Sequence, residues 1–471
     1  MPSFRFLLAA LGTGFCLAVP LSAQPAAASA PTPEATVARI YAEALAHGEA
    51  YENLRALVGR FPGRLSGSPA LAGAVTWAET ALRRLGPDRV FRQDVMVPHW
   101  ERGAPESVHL LGPGGQRVAL PALALGGSVA TPAGGLEADV VEVKSLAEAE
   151  ARGAQLAGKI VFFNRPMDPG IANGGTAYVA AVDQRSRGPA LAARLGAAAV
   201  LVRSMTQARD DLPHTGNTSF PGDAKRIPAL AISTLAADRL TAAVAAATAG
   251  GPPARVSVIS HARVLPDAPS HNVIAEIKGT EFPDRVILVG GHLDSWDIAP
   301  GAHDNGAGVV QSIEVLRLFR TLGLKPRHTL RCVLFTNEEN GLRGSTAYID
   351  SVKRSGQRHL LAVETDNGGF QPTGFNLGST QGDAHARAAA KWSQLFAPYG
   401  IAAFRKGTGG ADVGNLLPLG VTVAGLTPDS PRYFDTHHTT ADSFDKVHPR
   451  ELHLGAAALA ALIWLTDTQG L

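Results

Sequence analysis

RVILVGGHLDSWD, residues 285–297, decides how this chain is read. Val286–Val289 is a short, β-branched-rich apolar run, bounded by Arg285 and by two glycines. That length and composition fit a buried strand better than a helix. The run delivers His292 and Asp294, two side chains able to do chemistry, just beyond the end of the strand.

Runs of the same kind recur on the C-terminal side: NVIAEI (272–277), TLRCVLF (329–335), HLLAVET (359–365) and VTVAGL (421–426). Helical patterns over 308–322 and 384–397 separate several of them, and a last apolar helix from about 449 to 465 carries Arg450, Glu451 and His453. Strands alternating with helices predict an α/β fold, a mostly parallel mixed sheet sandwiched by helices. The last helix is expected to pack in the core rather than span a membrane. This catalytic domain covers 263–471, and the helical and strand-like segment 34–118 supplies its N-terminal part. Between 119 and 262 the texture changes to short strands, GKIVFFN (158–164), AAAVLVR (197–203) and IPALAIS (227–233), with helices over 188–195 and 235–247. This is read as an inserted α/β or β-rich domain.

In open α/β sheets, ligands bind beyond the carboxyl ends of the strands. His292 and Asp294 follow one strand here, Glu338 and Glu339 a second, Asp366 a third, and a loop after the fourth carries His437 and His438. Asp304 opens a helix twelve residues after His292. Taken singly, Asp304 reads as a helix cap, a lone histidine as structural and paired glutamates as solvated loop charge. All of them at one sheet mouth read as a site. Imidazole with carboxylate suits an open divalent-metal site, whereas a closed structural site would use thiolates. Three carboxylates and one hydroxide balance two dications, while a single dication would leave the site net negative. In an extended segment neighbouring glutamates point opposite ways, so one can ligate while the other faces water as general base. Asp294 is placed to accept the other N–H of the His292 ring and fix its tautomer.

These motifs resemble the co-catalytic zinc exopeptidases, most closely the carboxypeptidase Q-like metallopeptidases. The matching pieces are GGHLDSWD (290–297), GAHDNGAG (301–308), TNEENGLRGS (336–345), ETDNG (364–368) and HHTTADSFDKV (437–447). Upstream the likeness takes in PHWERG (98–103), RSRGPALAARLGAAAVLVRS (185–204) and PHTG (213–216), and so covers nearly the whole mature chain. The resemblance implies two Zn2+ per chain, with Mn2+ or Co2+ as substitutes. His292, Asp304 and Asp366 would hold one ion and Glu339, Asp304 and His438 the other, with Glu338 as base. His438 is preferred to His437 because the family ligand stands in His-Thr-x-x-Asp. Asn305 departs from relatives that carry a second Asp there. The resemblance also implies that the insertion is a protease-associated domain over the cleft, where His214 either reaches substrate or lies on a surface loop. Peptide-bond hydrolysis in dipeptides or short peptides is the expected reaction. An aminopeptidase with the same machinery, a one-zinc glutaminyl cyclase type and a non-catalytic receptor relative are the alternatives.

Arg5, the apolar run from Phe6 to Leu21 and the small residues Ser22 and Ala23 have the order of a cleaved secretory signal, residues 1–23, followed by a flexible leader over 24–33. A periplasmic or secreted protein is expected, with no membrane attachment after cleavage. Cys16 would leave with the signal, and Cys332 would remain as a buried, inert thiol. A net charge of +2 and the lack of a long Lys/Arg run argue against a nucleic-acid footprint. The expected partner is peptide substrate, and a homodimer is admitted.

Overall fold

The computed structural model describes residues 1–10, 12, 31–222, 224–429 and 431–471. Of the expected secretory signal, residues 11 and 13–23 lie outside the described residues. Eight strands form the main sheet: β1 (Arg89–Glu101), β2 (Arg263–Ile277), β3 (Phe282–His292), β4 (His328–Phe335), β5 (Arg358–Glu364), β6 (Pro372–Gly378), β7 (Ala403–Lys406) and β8 (Thr422–Pro428). Their order is β1-β2-β4-β3-β5-β8-β6-β7, and the central four, β4-β3-β5-β8, are parallel.

Side-chain alternation along β3 accounts for its burial on both faces. Ile287 and Val289 join a core with helices Pro33–His47, Ala50–Arg60, Ala307–Thr321 and Pro449–Gln469. Val286 and Leu288 face the other way, against Tyr348, Ile349 and Val352 of helix Arg343–Ser355. Two covered faces explain why these strands read as continuous apolar runs. Cys332 is fully buried in β4, and burial pushes its thiol pKa upward. The last helix is buried on nearly every side, and no helix among the described residues is long and apolar enough to cross a membrane. It packs against both Pro33–His47 and Ala307–Thr321. The helix expected over 384–397 is instead two short helices, Ala384–Ala390 and Ser393–Phe396. They meet near Trp392, whose buried indole donates to Gln469 Oε1 at 2.8 Å.

A second eight-stranded sheet holds the intervening residues. Its first strand is Ser107–Leu111, so the second unit begins before the expected boundary at 119. The reason is pairing: Ser107–Leu111 runs antiparallel to Arg255–Ile259, the strand that closes the unit. The chain leaves and re-enters the main sheet along one antiparallel ladder, β1 with β2, which ends in the pair Glu101↔Arg263. PHWERG and SWD clamp the two units together. Trp100 and Trp296 meet edge to face in the second unit's core, and Arg102 donates to both Asp297 oxygens at 2.8 and 2.9 Å.

Candidate metal centre

Each strand end of the parallel centre delivers one part of the site. β3 ends at His292, β5 leads through Thr365 to Asp366, and β4 leads into a turn bearing Glu338 and Glu339. Asp304 lies in the bend before helix Ala307–Thr321, with a cis peptide to Asn305. Glycine is required at 308, because a Cβ there would collide with the Thr365 carbonyl and the Asn305 side chain. Asn305 itself is a brace: its Nδ2 donates to Thr365 O and its Oδ1 accepts from Gly308 N, both at 2.9 Å.

Asp304 is the shared element. His292 Nε2 lies 3.2 Å from Asp304 Oδ1 and 3.2 Å from Asp366 Oδ1. His438 Nε2 lies 3.3 Å from Asp304 Oδ2 and 3.1 Å from Glu339 Oε2. All five expected ligand residues therefore converge on two sides of one carboxylate. His437 joins them, stacked on His438 at 3.6 Å with its Nε2 3.7 Å from Asp304 Oδ2. Donor atoms of His292, Asp304 and Asp366, and of Asp304, His437 and His438, cluster closely enough to hold an ion.

Two local expectations are corrected. The His292 ring turns its Nδ1 to the backbone carbonyl of Asp294 at 3.0 Å, not to the carboxylate, which is 3.7 Å away. The fully buried Asp294 carboxylate instead accepts the amides of Glu338 at 3.0 Å and Glu339 at 3.2 Å. A carboxylate without solvent needs such donors. Glu338 and Glu339 also lie in a turn entered by Asn337 at positive φ, not in an extended segment. The turn still separates them, with Glu339 buried against His438 and Glu338 half-buried.

The electrostatics reflect crowded carboxylates. Burial, then the charge of Asp304, pushes Glu339 up to about 7. Burial, with Asp366, Glu339 and Asp294 adding to it, raises Glu338 well above the usual carboxylate range. Burial works against protonation of His438, but Glu339 and Asp304 override it and hold the ring up at about 10. Burial opposes ionisation of Asp304, yet its two histidines bring it well below the ordinary range. The residues fit divalent metal: the donors are oxygen and imidazole nitrogen, and buried Glu339 Oε1 has no protein partner.

Sequence reasoning passed over the supports. Arg64, not singled out from the sequence, is fully buried and donates to the carbonyls of Leu293, Pro300 and Gly301 at 2.8, 2.6 and 3.1 Å. Asp442, noticed only as the end of the His-Thr-x-x-Asp pattern, accepts the amides of His303 at 2.6 Å and Asp304 at 3.0 Å. His214 is buried, so the surface-loop reading falls; both its ring nitrogens lack a partner, and burial brings its pKa down to about 3.

A fold and site of this kind define a metallo-exopeptidase. The pattern of peptidase family M28 matches residues 272–463. Carboxypeptidase Q of Xenopus laevis is 36% identical over 426 residues, 89% of this chain and 87% of that protein. The crystal structure of a peptidase M28 precursor from Shewanella amazonensis SB2B superposes with TM-score 0.86 at 33% identity, covering 93% of this chain and 97% of that one. A zinc aminopeptidase from Bacillus subtilis shares the fold, with TM-score 0.64 at 20% identity over 88% of this chain and 94% of its own. The chain belongs to peptidase family M28, and it is a metallopeptidase.

Asp442→Ala should strip two buried backbone amides of their acceptor. Each such loss costs about 1–3 kcal/mol, so a drop of roughly 2–6 kcal/mol is expected in denaturant unfolding of the metal-free protein. An unchanged unfolding midpoint would remove Asp442 from the supports of the site.

Proposed function

We propose that the chain is a two-metal exopeptidase of carboxypeptidase or dipeptidase type, acting on dipeptides or short peptides. The observation that carries this reading is Asp304, whose two oxygens face His292 on one side and His438 on the other, at 3.2 and 3.3 Å. His292, Asp304 and Asp366 would hold one Zn2+, and Glu339, Asp304 and His438 the other, with His437 close beside the second. When bound, the ions would polarise the scissile carbonyl and lower the pKa of water from ~15.7 towards ~7.

The chain's own residues divide the remaining work. Glu338, half-buried beside the His292 and Asp366 set, takes the proton from the attacking water and returns it to the leaving amine. Asp294 fixes the Glu338 and Glu339 amides, and so keeps base and ligand apart. The carboxypeptidase reading is favoured over an aminopeptidase because the carboxypeptidase Q likeness runs through both units at 36% identity. The zinc aminopeptidase likeness, at 20%, speaks for the fold alone. We also read the second unit as a protease-associated domain beside the cleft, and the protein as periplasmic or secreted, on the residue order of 1–23.

Three measurements test the proposal. Glu338→Gln should keep both ions and lose about 10²–10⁴-fold in kcat, whereas Glu339→Gln should lose an ion first and activity with it. The reverse pattern by elemental analysis and kinetics would exchange their roles. Dipeptides blocked at either end should separate the readings: hydrolysis surviving an acetylated N-terminus but not an amidated C-terminus supports the carboxypeptidase, hydrolysis only with both ends free the dipeptidase, and hydrolysis surviving an amidated C-terminus but not an acetylated N-terminus the aminopeptidase. N-terminal sequencing of protein recovered from the producing cell should begin near Gln24, and a sequence starting at Met1 or Pro2 would sink the export reading.

A further inference from the structure

The second unit reaches the candidate metal centre chiefly through Thr215, with Arg185 Nη1 also 3.5 Å from His438 Nδ1. The Thr215 amide donates to the carbonyl of His438 at 2.9 Å, and its carbonyl accepts from His438 Nδ1 at 3.2 Å. The imidazole thereby has one N–H committed and turns its other nitrogen, Nε2, to Asp304 and Glu339. His438 itself sits at positive φ, a backbone that such a reciprocal pair holds in place.

Thr215 is held in its turn. Its hydroxyl donates to Ala124 O at 2.7 Å, and Arg185 Nη1 donates to its carbonyl at 3.1 Å. A carbonyl has two lone pairs, so the guanidinium and the imidazole share this one oxygen. Arg185 is buried, and its Nη2 donates to Tyr178 Oη at 2.5 Å. The Tyr178 ring lies 5.2 Å from Phe434 and 5.2 Å from His437, both in the catalytic unit. Gly216 leaves room for the guanidinium, since a Cβ there would collide with it.

We infer that the inserted unit completes the metal centre: the Thr215 carbonyl, braced by Arg185, is the positioning group for His438. This rests on the two-metal reading above. Partners that orient a ligating histidine typically change metal affinity by about 10–100-fold when lost. The unit thereby supports one of that ion's three ligand residues and is not only a neighbour of the cleft.

The test is a Zn2+ titration of the metal-free full-length chain, repeated with Co2+ to follow each site by its visible absorption. Wild type is expected to take two ions. Arg185→Met should weaken one of them about 10–100-fold and leave the other unchanged, with Arg185→Lys recovering part of the loss. Thr215→Val, which releases the Ala124 tether and keeps the residue's size, should weaken the same ion by less. Both ions bound as tightly in Arg185→Met and Thr215→Val as in wild type would overturn the inference. So would equal weakening of both ions with a lowered melting temperature, since that marks a general structural loss. Fewer than two ions in the wild type would instead strike the two-metal reading, and the inference with it.

Discussion

The structure depends on one buried carboxylate having to serve two sides at once. Asp304 is almost without solvent, and each of its oxygens faces a different histidine. Isolated buried charge is costly, so its surroundings must be supplied by the rest of the fold. The amide of Asp304 is held by Asp442, the bend after it is held by Asn305, and the carbonyls leading to it by Arg64. Each of these comes from a different part of the chain, which is why the site needs the whole catalytic unit to exist.

The same logic explains the arrangement of the sheet. Four parallel strands end on one edge, and only small residues there allow a helix to come in close. Gly308 does this for Ala307–Thr321, which then seats Asp304 between β3 and β5. Asp294 plays the corresponding part across β3 and β4, tying the turn that carries both glutamates to the strand that carries His292.

Much of this was legible in the chain because strands buried on both faces leave apolar runs, and the functional residues follow those runs directly. His292, Glu338, Glu339 and Asp366 were placed at one sheet mouth in that way, and His438 through its pattern with Asp442, and the structure brings them together. What the supports hold was not legible, for a physical reason. Arg64 acts through backbone carbonyls, and Asp294 and Asp442 through backbone amides, contacts that any acceptor or donor could make and that leave no periodic trace. The start of the second unit was set too late because Ser107–Leu111 is defined by its pairing with a strand about 150 residues away.

The last helix, Pro449–Gln469, has a consequence for the order in which the protein can be made. It packs on Pro33–His47 and on Ala307–Thr321, so Pro33–His47 lacks this partner until residues about 400 positions further along the chain have been added. The second unit has every strand of its sheet between 107 and 259, with Trp100 and Trp296 of the catalytic unit's flanks completing one of its cores. The inner unit is thus built from neighbouring stretches of chain, whereas the apolar face of Pro33–His47 is covered only by a segment from the far side of it.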